Sequence, residues 1–169
     1  LTGPRKIATI KKAVTFCLAR PAPGKKGSLM NREEIKKLLP HREPMLLLDE
    51  VEIDEQGRSV AKYTVRGDEF FLQGHFPGNP IVPGVIQCEM IAQTAVALLP
   101  DCAGKTPLYT GLNNVKFKNP LLPGDTAVMT VELTNRRGIF CFAKGRLEAN
   151  GKLCTSAEFS FALLSKKPE

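Results

Sequence analysis

The sequence predicts an α+β domain in which one long buried central helix is wrapped by a curled antiparallel sheet. Three observations carry this. From Gly84 to about Leu99 the chain is apolar on nearly every side, with Val85, Ile86, Met90, Ile91, Ala92 and the run Ala95 to Leu99 leaving no continuous polar stripe. A helix of that kind has to be buried all round. After it the hydrophobic pattern switches to a period of two, in runs separated by turn residues, which reads as strands. A lone helix that is apolar on all faces cannot be covered by one flat sheet. The sheet must curl around it, and a second copy of the chain is expected to close the side left open.

At 169 residues the chain suits one domain. Residues 1–29 hold Arg5, Lys6, Lys11, Lys12, Arg20, Lys25 and Lys26 with no acidic residue, and close on Pro21-Ala22-Pro23-Gly24 and further Gly and Ser. They are expected to be a basic extension or added linker outside the fold, with an organelle leader as the other reading. Residues 30–169 are then the single domain. Asn31 is a helix N-cap with Glu34 three residues on, and Ile35, Leu38 and Leu39 form a short apolar face that Pro40 stops. Pro40 to Pro44 is a turn running into a first strand through Leu46-Leu47-Leu48 to Val51, and Arg58 to Val65 is its hairpin partner.

Pro83 fits the first turn of the central helix, where its missing N–H has no intrahelical partner, and Pro100 ends the run. That makes about sixteen residues, roughly 24 Å. The following strands are expected at Leu108 to Phe117, around Ala127-Met129-Val131, at Ile139 to Ala149 and at Lys152 to Leu163, joined as a meander; Asn150-Gly151 is a type I′ hairpin signal.

Composition excludes several classes. The net charge of +7 resides in residues 1–29, whose seven basic residues leave 17 of the 24 against 17 acidic ones in the rest. The body is near neutral. With no Trp and two Tyr there is no interleaving of aromatic and basic residues, so no nucleic-acid partner is expected. No apolar run reaches the ~18 residues of a membrane span. Five scattered cysteines without a CxxC pair fit buried thiols in a reducing compartment, with no metal site and no disulfide framework. A cytoplasmic location is expected. Cys88 reads as a small packed residue, since a nucleophile would need a depressed pKa and a base.

Glu89 is the anomaly: an ionisable residue on a helix that otherwise excludes charge, about 7.5 Å along the axis from Gly84. Around it stand segments with a recognisable pattern: Leu39-Pro40-His41-Arg42-Glu43-Pro44-Met45-Leu46-Leu47-Leu48-Asp49, Gly74-His75-Phe76-Pro77-Gly78-Asn79-Pro80-Ile81-Val82-Pro83-Gly84-Val85, Glu89-Met90-Ile91-Ala92-Gln93, and Val115-Lys116-Phe117 with Pro123-Gly124-Asp125. Together they resemble the (3R)-hydroxyacyl-[acyl-carrier-protein] dehydratases of bacterial type II fatty acid synthesis, of the Z type. The likeness runs from about Met30 to Leu164, and its most specific part is the His-Phe-Pro-Gly segment with a helical Glu fourteen residues after the His. The sister A-type enzymes look similar but carry Asp at the Glu89 position.

The resemblance implies a hot-dog fold and the removal of water from a 3-hydroxyacyl thioester, without a cofactor of the enzyme's own, the substrate riding on the phosphopantetheine of acyl carrier protein. It implies His75 as the base for the C2 proton and Glu89 as the acid for the departing hydroxide, its pKa raised by burial. Gln93, one helical turn on, is expected to orient Glu89 or to fill a wet pocket. The amide hydrogens of Gly84 and Val85 would hold the thioester carbonyl. The acyl chain is expected in a tunnel lined by Ile81, Val85, Ile86 and Tyr109; the family often has a Tyr where this chain has Leu108. His41 reads as a turn residue. Lys116, Lys118, Arg136 and Arg137 are candidates for the contact with acidic acyl carrier protein. The family implies a homodimer as the minimal active unit, His from one subunit and Glu from the other, and a hexamer of three dimers. Two rivals are a hot-dog acyl thioesterase, whose helical carboxylate would activate water, and a non-catalytic acyl-binding module.

Overall fold

The computed structural model of the protein describes residues 27–165. Residues 1–26, with Cys17, and residues 166–169 lie outside the described residues, and so does most of the expected extension. At its end, Gly27 donates its N–H to the carbonyl of Ile53 (3.2 Å).

The chain starts with β1 (Met30–Asn31) and α1 (Arg32–Leu38). Asn31 caps α1 as expected: its side chain accepts from the Glu33 and Glu34 N–H groups, and Glu34 returns a bond to the Asn31 N–H. Three backbone donors at the start of the helix are thus satisfied. Then follow β2 (Glu50–Ile53), β3 (Ser59–Thr64), a 3₁₀ turn at Phe70–Leu72, and the central helix α2 (Gly84–Thr94), prolonged by a 3₁₀ turn at Ala95–Leu98. The last four strands are β4 (Lys105–Phe117), β5 (Thr126–Arg137), β6 (Phe140–Ala149) and β7 (Lys152–Ser165). Asn150 and Gly151 both have positive φ (51° and 71°) in the two-residue loop between Ala149 and Lys152, which is the twist a type I′ turn supplies.

The sheet is a single antiparallel one of seven strands in the order β1-β2-β3-β5-β6-β7-β4. This corrects the meander. β4 pairs with β7 at the far edge, and β5 crosses back to pair with β3. The return is fixed by backbone bonds of residues 121–125: Val82 N–H to Leu121 O, Gly124 N–H to Val65 O and Val65 N–H to Asp125 O. Sequential strands pair only as a tendency, and here the crossing segment finds its partners beside β3 and ahead of α2. The first long strand also begins later than expected, at Glu50 and not in the Leu46-Leu48 run, where the carbonyls of Met45, Leu46 and Leu48 and the N–H of Leu47 bond to the side chains of Arg32 and Gln93.

α2 packs on β5, β6 and β7. Gln87, Cys88, Met90, Ile91, Gln93 and Thr94 are its buried face, set against inward residues such as Met129, Val131, Cys141 and Leu147. The helix is not enclosed all round. Val85 is 73% exposed, and Ile86, Glu89 and Ala92 continue a partly buried stripe along one side. Edge strand β4 is open too, with Leu108, Tyr109, Leu112 and Phe117 exposed. One sheet covers the far side of the helix and leaves this side to another surface.

Where helix and sheet approach most closely, β6 carries Gly145. A Cβ there would run into Cγ2 of Ile91 and lie 2.9 Å from Cγ2 of Val131. Both atoms are branches one bond from a backbone-bound Cβ and cannot swing away. Gly145→Ala is therefore expected to destabilise the fold by about 1–3 kcal/mol, read as a lower urea midpoint. An unchanged midpoint would mean that α2 does not sit on the sheet at this distance.

Candidate active site

His75 stands in the loop that feeds α2. Its backbone is pinned twice, by its own N–H to Leu72 O (3.2 Å) and by Ile81 N–H to its carbonyl (2.9 Å), and its peptide bond to Phe76 is cis. The ring stacks on Phe76, with centroids 4.1 Å apart. Nδ1 lies 2.9 Å from the Ile81 carbonyl oxygen. A carbonyl only accepts, so Nδ1 carries the hydrogen and Nε2 keeps its lone pair for another proton. The fold thus sets the tautomer a base needs.

His75 shares an open recess with Ile81, Gly84, Val85, Phe117 and Lys118. This is also where α2 starts, and no side chain caps that end, leaving the first amide hydrogens for another acceptor. Gly84 is dictated by packing: an added Cβ would lie 2.6 Å from the Phe117 ring. Behind the recess, Gln87 donates to Val82 O (3.1 Å) and accepts from the Thr155 hydroxyl (2.6 Å), tying the first turn of α2 to β7.

Glu89 opens elsewhere. It lies five residues from Gly84, about 140° around the helix, and borders a cavity of about 100 Å³ shared with Leu39, His41, Ala92, Gln93, Val96, Tyr109, Phe161 and Leu163. Gln93 donates to Glu89 Oε1 (2.9 Å). The Nε2 of His41 lies 3.3 Å from the same oxygen, while its Nδ1 is buried without a partner. Tyr109 donates its hydroxyl to Cys88 O (2.8 Å) and is pushed well up, by burial first and by the Glu89 charge second. Burial also raises the Cys88 thiol, which keeps it protonated and unreactive.

The carboxyl of Glu89 behaves differently from the expectation. Burial is the largest influence and does push its pKa up, but the polar contacts from His41 and Gln93 and the charge of His41 together outweigh it, bringing the group below its ordinary 4.5. In the free chain the ionised form is favoured. His41, expected as a turn residue, is a Glu89 contact that the sequence reading does not anticipate. It lies 48 positions from Glu89, and only its place inside the Leu39-Asp49 stretch could have flagged it.

Within one chain, then, His75, Gly84, Val85, Ile81 and Lys118 come together, and Glu89, Gln93 and Tyr109 form a second group. Ile86 packs against the core. The basic residues do not gather: Lys116 borders an outer groove with Arg58, Lys144 and Arg146, Arg137 is exposed, and Arg136 is engaged by both oxygens of Asp101 (2.9 and 2.6 Å).

The family model described as ApeI-like, ApeI dehydratase, matches residues 51–158. The 3-hydroxyacyl-[acyl-carrier-protein] dehydratase FabZ of Clostridium perfringens is 44% identical over 138 residues, which are 80% of this chain and 99% of that protein. The protein of the same name from Enterococcus faecalis is 47% identical over 134 residues, covering 77% and 95%. Among solved structures, the dehydratase heterocomplex ApeI:P from Xenorhabdus doucetiae matches with a TM-score of 0.67 at 20% identity over 78% of this chain and 91% of that one, a likeness of fold. These neighbours share the hot-dog fold.

A depressed carboxyl pKa contributes stability that is present above the ordinary value and lost as the pH falls through the lowered one. Without His41, burial of Glu89 is less opposed. In His41→Ala the Glu89 carboxyl is expected to protonate at a higher pH than in the parent. Infrared titration of the carboxyl band, assigned by its loss in Glu89→Gln, checks this; an unmoved titration would sever the His41 contact.

Proposed function

The chain belongs to the family of 3-hydroxyacyl-[acyl-carrier-protein] dehydratases of the FabZ type, and on that premise we propose that His75 and Glu89 are its base and acid. The enzyme dehydrates 3-hydroxyacyl-acyl carrier protein to the 2-enoyl form in fatty acid synthesis. His75 Nε2 takes a proton from C2 of the (3R)-hydroxyacyl thioester. The electron pair left behind becomes the trans C2–C3 double bond as the C3–O bond breaks, and the Glu89 carboxyl supplies the proton with which hydroxide leaves as water. Negative charge that builds on the thioester oxygen is met by the amide hydrogens of Gly84 and Val85 at the uncapped start of α2. The observation that carries the reading is the His75 Nδ1 contact with Ile81 O (2.9 Å) beside that helix start.

Glu89 must hold a proton when it acts, and free it favours the ionised form. Seating an acyl chain removes water and strengthens the burial that already pushes its pKa up. The chain's place is the cavity at Glu89, where Ala92, Val96, Leu99, Phe161 and Leu163 are apolar and Tyr109 stands at the side. The steps ask for no metal or organic cofactor beyond the carrier's phosphopantetheine arm. Acyl carrier protein is the partner, with Lys118 beside the His75 recess as a contact for its acidic surface. A cytoplasmic location goes with the free buried thiols of Cys88, Cys102, Cys141 and Cys154.

Since His75 and Glu89 open into separate recesses of one chain, the working site is built by two. The Val85-Glu89 stripe and the exposed side chains of β4 are the surface the second copy covers, so that His75 of one subunit meets Glu89 of its mate. Three such dimers make the expected hexamer. A thioesterase would instead use Glu89 to activate water and would release a free acid.

With a 3-hydroxyacyl thioester as substrate and absorbance of the enoyl thioester as readout, His75→Ala and Glu89→Gln are each expected to lose at least about 10²–10⁴-fold in rate while keeping their oligomeric state. Full activity in His75→Ala would sink the assignment. Mixing the two inactive variants under subunit exchange tests the shared site. Heterodimers would regain one intact site of two, restoring up to about a quarter of parental activity, whereas sites confined to one chain would stay dead.

A further inference from the structure

Residues 46–48 are buried yet belong to no strand. Leu46, Leu47 and Leu48 are fully enclosed, and a buried backbone must find partners for its N–H and C=O groups. Four of these groups in residues 45–48 meet two side chains, while the Met45 N–H donates to Arg42 O (2.8 Å). Arg32 of α1 donates from Nη2 to Leu46 O (2.8 Å) and from Nη1 to Leu48 O (3.1 Å). Gln93 of α2 accepts from Leu47 N–H through Oε1 (2.9 Å) and donates from Nε2 to Met45 O (2.8 Å). Alternate residues of an extended chain turn their polar groups to opposite edges. The even carbonyls go to Arg32 and the odd groups to Gln93, so the two side chains stand in for two absent neighbouring strands.

This grip decides how Gln93 points. Leu47 N–H fixes the amide oxygen and Met45 O takes one amide hydrogen, which leaves the other aimed at Glu89 Oε1 (2.9 Å). Turned over, the amide would set its oxygen against the carboxylate. Arg32 is itself anchored by Asp49 Oδ1 (2.9 Å) and Glu43 Oε1 (3.0 Å). Asp49 in turn accepts from Thr64 N–H and Arg66, so the clamp is referred to β3.

We infer that Arg32 is a positioning residue for the dehydration: it holds the 45–48 segment in register, the segment fixes Gln93, and Gln93 sets the direction in which Glu89 faces the substrate. The inference rests on Glu89 being the acid. Lysine cannot replace Arg32, because an ammonium lacks the planar fork that spans two carbonyls and two carboxylates.

The test is steady-state kinetics of Arg32→Ala, Arg32→Lys, Gln93→Ala and the Arg32→Ala/Gln93→Ala double variant, with Glu89→Gln alongside. Arg32→Ala is expected to lower kcat roughly 10- to 100-fold with KM little changed, since a misdirected acid weakens the transition state and not substrate binding. Arg32→Lys should recover little of this. The double variant should be no slower than the worse single, because both residues act along one chain of bonds. Arg32→Lys keeps charge and helix propensity and decides the matter if the alanine variant does not fold. Parental kcat in a folded Arg32 variant, or losses that multiply in the double variant, would overturn the inference. An active Glu89→Gln would overturn the acid assignment itself, whereas an inactive Glu89→Gln beside an unaffected Arg32→Lys would overturn only the role of Arg32.

Discussion

The site is arranged around Glu89, the one charged side chain on the central helix. A carboxylate on such a helix cannot be left alone, since burial without partners would drive it to its neutral form. The fold answers with Gln93 one turn along and His41 from the loop after α1. Those contacts more than offset the burial, so the free chain favours the ionised form of Glu89, and removal of water from the site works in the opposite direction. In the proposed mechanism the carboxyl gives a proton in one direction of a reversible reaction and takes it back in the other.

The second constraint is openness. A helix end without a cap leaves amide hydrogens unsatisfied, and the exposed stripe through Val85 leaves apolar surface in water. Both are unfavourable in one chain, and in the proposed mechanism a thioester oxygen fills the first and another copy covers the second. The sheet packs on the side of α2 that carries Cys88, Met90 and Ile91 and leaves the Val85 side open. Gly145 and Gly84 mark the two places where that fit is closest, one against Ile91 and one against Phe117.

How much of this was legible depended on the range of the interaction. The Asn31-Glu34 capping box, the alternation of Ala127-Met129-Val131 and the Asn150-Gly151 turn are decided within a few residues, and the structure has each of them. The placement of β4 at the far edge was not legible, because its pairing with β7 is settled some fifty positions away in the chain. Nor was the lowered pKa of Glu89: its burial could be read from the helix, but the opposing contact from His41 comes from a distant loop. The Leu46-Leu48 run is a short continuous apolar segment of the kind a buried strand can carry, and the bonds of its backbone to the Arg32 guanidinium and the Gln93 amide join distant positions of the chain. His75 and Glu89 themselves stood out early, through a resemblance carried by whole segments and by the oddity of a carboxylate on an apolar helix.

The most direct test of the account runs the reaction backwards. A 2-enoyl thioester is supplied with the enzyme in deuterium oxide enriched in ¹⁸O, and the product is analysed by mass spectrometry and NMR. If His75 serves C2 and Glu89 serves the oxygen on C3, deuterium enters at C2, ¹⁸O enters at the C3 hydroxyl, and the thioester stays intact. Recovery of ¹⁸O in a free carboxylate with C2 and C3 unlabelled would contradict it, and would make Glu89 the base of a thioester hydrolysis.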